Sequence, residues 1–229
     1  MSQHRAFWDK EYKTGEHLAL STEPAEDLLK FARYLEREHG AGFLNPATSV
    51  LDLGCGNGRN LIHLARHYGC PGTGYDISAE AIKQAEAAGQ DLSLSFKARS
   101  MAGRLELPDE SATLVLDMMS SHFLRQKERE ALREEILRVL AYDGWLFFKS
   151  FLAEEDLHVK RLLRDHPADE PNAYIHPKLG VYEYVWTVDA LKEFFGPYFE
   201  IRKIEKSHKH LLRGKAFKRR TVSAYLQKK

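Results

Sequence analysis

The stretch Val50-Leu-Asp-Leu-Gly-Cys-Gly-Asn-Gly-Arg-Asn60 runs from apolar, strand-forming residues straight into three alternate glycines. Val50, Leu51 and Leu53 read as a buried strand. Gly54, Gly56 and Gly58 then remove every Cβ where the chain must turn into a helix, predicted over 57–68. A ligand can therefore come close to the backbone of this loop. The small side chain of Cys55 suits such a loop and needs no chemistry of its own. The spacing is G-x-G-x-G, whereas a dinucleotide site prefers G-x-G-x-x-G with a helix N-terminus turned to the pyrophosphate. That difference points away from NAD.

Working outward, Gly72-Thr-Gly-Tyr-Asp76-Ile-Ser78 reads as the next strand. It ends in an acid 18 residues beyond Gly58. A carboxylate there can accept hydrogen bonds from two ribose hydroxyls. Taken together, Asp52-x-Gly54-x-Gly56-x-Gly58 and Gly74-Tyr-Asp76 resemble the first two motifs of the class I methyltransferases that use S-adenosylmethionine.

The resemblance implies that Asp52 and the backbone of the loop Gly54, Cys55, Gly56, Asn57 and Gly58 hold the methionine moiety. It also implies that Asp76 holds the ribose and that Ile77 packs on the adenine. Asn60, on the following helix, joins this candidate set. Where the family commonly has an acid after the third strand, Phe96-Lys-Ala-Arg-Ser100-Met101 offers none, so Ser100 or the backbone of Met101 takes that place. Thr113 stands where many members carry an aspartate. Beside this stands a plainer reading, in which the glycines make a tight strand-to-helix turn, Asp76 caps the next helix and Asp52 bonds to neighbouring amides.

At 229 residues the chain holds one α/β domain with a sizeable core. We expect a single domain: a helical cover over 1–45, a cofactor-binding core over 46–151, an insertion over 152–186 that caps the acceptor, and a helix with a hairpin over 187–229. Two cysteines, Cys55 and Cys70, cannot make a disulfide framework and indicate a reducing compartment. No apolar run has the length of a membrane-spanning helix, and the first residues lack the apolar core of a signal peptide. The expectation is a cytoplasmic protein with no membrane partner. The net charge is +1, but from Ile201 to Lys229 eleven Lys or Arg face the single acid Glu205, so residues 1 to 200 carry −9. This asymmetry fits an anionic partner such as nucleic acid, or equally the guarding of an exposed sheet edge.

Along the chain, an aromatic-bearing helix over 3–12 (Phe7, Trp8, Tyr12) precedes a second one over 24–39, for which Ser21 or Thr22 would be the cap. Trp8 and Tyr12 fit both a lid and ordinary packing, and helical spacing favours packing. Strands then fall near 49–53, 72–76, 92–97, 113–118 and 144–151, with helices near 57–68, 78–88 and 126–140 between them. A helix over 188–195 and two strands joined through Leu211-Leu-Arg-Gly214-Lys complete the pattern. The expected fold is a Rossmann-like α/β sheet with helices on both faces. The resemblance implies seven strands in the order 3-2-1-4-5-7-6, with the seventh antiparallel.

Ligands of open α/β sheets lie beyond the carboxyl ends of the strands, and there the sequence places Asp117-Met-Met-Ser-Ser-His122-Phe. Asp117 and His122 are candidates to orient or deprotonate an acceptor, since both accept a proton; Asp117 also counts towards the cofactor set. Members of the family often carry a histidine at the place of His122 without using it as a base. The stretch 152–186 is dense in polar and aromatic groups, among them Arg161, Arg164, His176 and Tyr182, and the last two join the catalytic candidates. His208-Lys-His210 puts two imidazoles on one strand face with no third ligand in view, so no metal is assigned. Three function classes follow. One is a methyltransferase for a small molecule or peptide. Another is an RNA methyltransferase gripping phosphates through Lys209, Arg213, Lys215, Lys218, Arg219 and Arg220. The third is a non-catalytic member that binds the cofactor or a partner.

Overall fold

The computed structural model describes residues 2–17, 20–208, 211–212, 215–216 and 219–229, with backbone alone for 2–3, 211–212 and 215–216. Five parallel strands form the first part of the sheet: β1 (Val50–Leu53), β2 (Gly72–Asp76), β3 (Leu94–Ala98), β4 (Ala112–Met118) and β5 (Leu140–Phe151). Two short strands follow, β6 (Ala173–Ile175) and β7 (Tyr182–Tyr184), then the long β8 (Phe199–Lys206). A ribbon of β9 (Leu211–Leu212) and β10 (Lys215–Ala216) leads to β11 (Thr221–Lys228). The main sheet has the order β3-β2-β1-β4-β5-β11-β8, and β11 runs antiparallel to both its neighbours. Numbered by sheet strand alone, this is the expected 3-2-1-4-5-7-6. The connection between the last two strands differs from a plain hairpin, because its middle forms the ribbon β9–β10.

Alternation along the strands divides the core into two layers. Leu146 and Phe148 of β5 face one side, with Leu132 and Ile136 of α5 (Gln126–Val139) and Leu191 and Phe195 of α7 (Val188–Phe195). Trp145 and Phe147 face the other, with α2 (Glu26–His39), α3 (Arg59–Tyr68) and α4 (Ala79–Gly89). Phe31 of α2 is fully buried and stacks on Phe147 with centroids 4.7 Å apart. Truncating such a ring costs about 3–5 kcal/mol. With helices on both faces, β1 and the middle of β4 and β5 are buried, as their near-continuous apolar runs require.

Two boundaries differ from expectation. Helix α2 starts at Glu26, after Ala25, so neither Ser21 nor Thr22 caps it; the Ser21 hydroxyl instead accepts from the Glu23 amide at 3.0 Å. The orphan amide of Ala25 donates to Asn60 Oδ1 at 2.9 Å, a long-range cap that local spacing cannot reveal. Helix α3 begins two residues later than expected, because Gly58 sits in the left-handed region as its N-cap. Over 152–186, helix α6 (Leu157–Asp165) and the β6–β7 pair make a small cluster around Val159, Leu162, Tyr174 and Val185. No described helix is long and apolar enough to cross a membrane.

Candidate active site

The carboxyl ends of β1, β2 and β4 open into a cavity of about 470 Å³. Its floor is the glycine loop, which β2 pins in place. The amides of Gly54 and Cys55 both donate to the carbonyl of Tyr75, at 2.7 and 2.9 Å. Gly54 and Gly56 have φ of +70° and +57°, a region that side chains disfavour. A Cβ at Gly54 would lie 2.4 Å from Cβ of Ser120, and one at Gly56 2.3 Å from the hydroxyl of Tyr12. Steric room is therefore as strict a reason for these glycines as conformation.

Asp76 is the hinge of the site. Its Oδ2 accepts from the Gly56 amide at 2.9 Å and its Oδ1 from the Ser78 amide at 2.8 Å. Burial raises its pKa above the usual carboxylate range, against the pull of these two donors. The plainer reading of Asp76 as a helix cap passes to Ser78, whose hydroxyl accepts from the Ala81 amide at 3.1 Å. Asp52 lies behind the loop, 2% exposed, and its Oδ2 has no hydrogen-bond partner. Burial, with Asp76 and Asp117 nearby, pushes its carboxyl up to about 7. Asp52 does not itself line the cavity; the fit to S-adenosylmethionine rests on the Cβ-free Gly54–Gly56 loop, which lets a ligand approach the backbone, and on the Asp76 carboxylate at its edge.

Of the other cofactor candidates, Cys55, Asn57, Asn60, Ile77, Ser100 and Met101 line the cavity, whereas Gly58 turns the chain beneath it. The Asn60 side chain is occupied, accepting from Ala25 and donating to the sulfur of Met118. Met119, at the end of β4, holds φ of +61° and lines the cavity, a strained backbone at a site wall.

Three catalytic candidates fall outside the cavity. Asp117 is 2% exposed, and its Oδ1 lies 2.7 Å from the Ser120 hydroxyl and 3.1 Å from the Ser121 amide. It fastens the loop after β4 and does not face an acceptor. His122 is 1% exposed, wedged between Phe123 and Phe151, with neither ring nitrogen partnered; burial lowers its pKa to about 3. The strand-end position that recommended it is correct, but its ring points into the cap and not into the cavity. His176 turns its Nδ1 to the amides of Lys178 and Leu179, both at 3.3 Å, and serves a turn.

Tyr182, by contrast, reaches the cavity. Its hydroxyl donates to Glu170 at 2.6 Å, and the Arg125 guanidinium lies 4.0 Å over its ring. Burial, with Glu170, pushes its pKa up to about 12, so it is a donor and not a base near pH 7.

The side of the cavity away from the sheet belongs to helix α1 (Ser2–Thr14). Arg5 Nε donates to the Ile77 carbonyl at 3.0 Å, the Ser78 hydroxyl donates to Asp9 at 2.7 Å, and Gln84 donates to the Tyr12 carbonyl at 2.8 Å. So held, α1 turns His4, Trp8 and Tyr12 into the cavity, and Trp8 meets Phe123 edge to face at 5.4 Å. Packing, the reading that helical spacing favoured for Trp8 and Tyr12, is therefore only half of their setting. The missed residue is His4, one helical turn before Trp8; the i, i+4, i+8 run was the signal.

Of the basic tail, Arg219 and Arg220 turn inward. Arg219 pairs with the buried Glu183 at 2.5 Å, and Arg220 is 6% exposed, with Glu155 and the carbonyls of Glu154 and Ser207 around it. Lys209, His210, Arg213 and Lys218 lie outside the described residues, as does the side chain of Lys215.

The methyltransferase-domain family matches residues 50–144, the stretch from β1 into β5. A 2-methyl-6-phytyl-1,4-hydroquinone methyltransferase of Synechocystis is 32% identical over 158 residues, 65% of this chain and 49% of that protein. A glycine/sarcosine/dimethylglycine N-methyltransferase of Actinopolyspora halophila is 28% identical over 141 residues, 61% of this chain and 25% of that one. The chain thus matches about half of the first relative and a quarter of the second. Among solved structures, an S-adenosylmethionine-dependent methyltransferase of Methanosarcina mazei superposes with a TM-score of 0.67 at 25% identity, covering 81% of this chain and 94% of that one. Sheet order, glycine loop and these comparisons agree on the fold: residues 50–144 match the methyltransferase-domain family, and the whole sheet resembles that of an S-adenosylmethionine-dependent methyltransferase.

Proposed function

We propose that the protein transfers a methyl group to a small-molecule or peptide acceptor held in the outer part of the cavity, under α1. The observation that carries this reading is the partial cover that α1 and the aromatic side chains lay over the cavity. Its inner wall is the glycine loop with Asp76 and Ile77, and its outer wall is Trp8, Phe123 and Tyr182. At about 470 Å³ it has the size of a small-molecule site. The inward turn of Arg219 and Arg220 removes two of the six cations on which an RNA acceptor would draw.

S-adenosylmethionine supplies an electrophilic methyl on a sulfonium, and the displacement needs an acceptor lone pair in line with it. The residues here supply alignment and dryness. The backbone of Gly54 to Gly56 leaves room for close approach, Asp76 is placed for ribose hydroxyls, and Asp52 sets a carboxylate behind the loop. Ile77 and Met101 offer apolar faces to a base, with Ser100 as a polar partner. Trp8, Tyr12 and Phe123 exclude water from the outer half.

Isothermal titration with S-adenosylmethionine and, separately, with NAD tests the reading. We expect binding of the first alone. Absence of S-adenosylmethionine binding to the full chain would overturn it.

A further inference from the structure

His4, Trp8 and Tyr12 stand four residues apart on α1 and share one face, and all three line the cavity. Among the described residues lining it, His4 is the one imidazole. Arg125 and Glu128, at the start of α5, line the same region and act electrostatically on the His4 ring. Three aromatic side chains complete this end: Trp8 and Phe123 meet edge to face, and Tyr182 lies under the Arg125 guanidinium. Such walls favour a flat, polarizable guest.

We propose that His4 is the base of the reaction, and that it takes the proton of a planar aromatic acceptor bearing an O–H or N–H group, bound between Trp8, Phe123 and Tyr182. This rests on the methyltransferase reading given above.

Other titratable groups are engaged or unsuited: Asp117, His122 and His176 do not line the cavity, the Tyr182 hydroxyl donates to Glu170, the Asp76 carboxylate accepts the Gly56 and Ser78 amides, and burial pushes the Tyr12 hydroxyl and the Cys55 thiol up. Glu128 accepts the Arg125 amide at 2.9 Å in the capping of α5. Burial and then the positive α-amino group lower the His4 pKa below its usual 6.5, with Glu128 opposing and Arg125 adding a little, so the neutral ring, which offers a lone pair, is favoured at pH 7.

The step balances without another reactant. The acceptor oxygen or nitrogen forms its bond to the methyl carbon while the carbon–sulfur bond breaks, and the bonding pair stays on sulfur as a neutral thioether. The acceptor proton passes to His4, and from its partly exposed ring to solvent.

The test begins with S-adenosylmethionine titrations of the full chain, wild type and His4→Gln. Turnover is then followed by release of S-adenosylhomocysteine with phenol, catechol, 4-nitrophenol, indole and benzimidazole, from pH 5.5 to 8.5. We expect both proteins to bind S-adenosylmethionine alike and the wild type to turn over at least one probe. Its kcat/KM should fall as the pH drops through a value below 6.5. His4→Gln should lose ~100-fold or more on weakly acidic probes, the usual share of a general base. It should lose less on 4-nitrophenol, which is ionised at the upper end of the range. Added imidazole should restore part of the rate to His4→Ala, which a merely structural role would not allow. A wild type that binds S-adenosylmethionine but turns over none of the probes overturns the proposal. So does a His4→Gln variant with an unchanged rate and pH profile. Failure of the wild type to bind S-adenosylmethionine at all overturns the methyltransferase reading instead, and the proposal falls with it.

Discussion

The inner and outer walls of the cavity are made of different material. The inner wall is backbone, bent at Gly54 and Gly56, hung from the Tyr75 carbonyl and braced by the Asp76 carboxylate. The outer wall is side chains: Trp8 and His4 from α1, Phe123 from the turn after β4, Tyr182 from β7. Backbone in a sheet-anchored loop cannot be re-chosen one residue at a time, whereas a side-chain wall can. Under the proposed function the difference divides the labour, with a fixed half for the cofactor and a variable half for the acceptor.

Four substitutions would break or sharpen that contrast. The largest effect is expected behind the outer wall. There the buried Glu183 carboxylate meets the Tyr174 hydroxyl at 2.5 Å and Arg219 at 2.5 Å. Burial alone would raise the Glu183 pKa, but Arg219 and Tyr174 outweigh it, and the net value lies below the usual 4.5. Its stabilising contribution is thus present above pH 4.5 and is lost as the pH falls through the lowered value. Glu183→Ala leaves Arg219 unpaired and should cost about 3–5 kcal/mol in urea unfolding at pH 7. A loss under 1 kcal/mol would show that the pair is not what holds the cap.

Next comes the inner wall. Gly56→Val adds a clash with Tyr12 to an unfavourable φ, and S-adenosylmethionine affinity should drop ~100-fold or more in calorimetry, while the melting temperature stays within a few degrees. Unchanged affinity would remove the loop from the site.

A smaller effect is expected at His122. An imidazole that stays neutral in the fold down to about pH 3 but ionises near 6.5 when unfolded costs stability as the pH falls below 6.5. Between pH 7.5 and 5 this amounts to about 2 kcal/mol, which His122→Leu should abolish in parallel urea titrations. Equal pH dependence in both proteins would mean that the ring is wet or paired.

The smallest is at the lid. Trp8→Ala should weaken S-adenosylmethionine about threefold to tenfold through lost apolar cover, leaving unfolding unchanged. A loss as large as that of Gly56→Val would erase the distinction between the walls.

The same distinction governs what could be read from residues in a row. The geometry of the glycine loop was legible because it is local: strand and turn are consecutive, and β2, which carries Asp76 at its end, pairs in register with β1. The alternation of strands and helices followed from the apolar runs, whereas the sheet order came from the family resemblance alone. His122 misled because strand-end position says where a residue is but not which way its ring turns, and Phe123 and Phe151 decide that. Asn60 was drawn into the cofactor set, yet its carbonyl is spoken for by Ala25, 35 residues away. His4 went unread for the opposite reason. Its helical spacing to Trp8 and Tyr12 put it on their face, but only α1 lying over the cavity gives that face a site to look into.

Strand β11 sits between β5 and β8, seven residue pairs on either side, although it is the last strand of the sheet to be synthesised. Until residues 221–228 leave the ribosome, β5 shows an open hydrogen-bonding edge along the residues that β11 later pairs. Parallel pairing from β1 to β5 can form early, but the sheet cannot close vectorially. A nascent chain stalled before Thr221 would therefore present a sticky flank, a natural handle for chaperones.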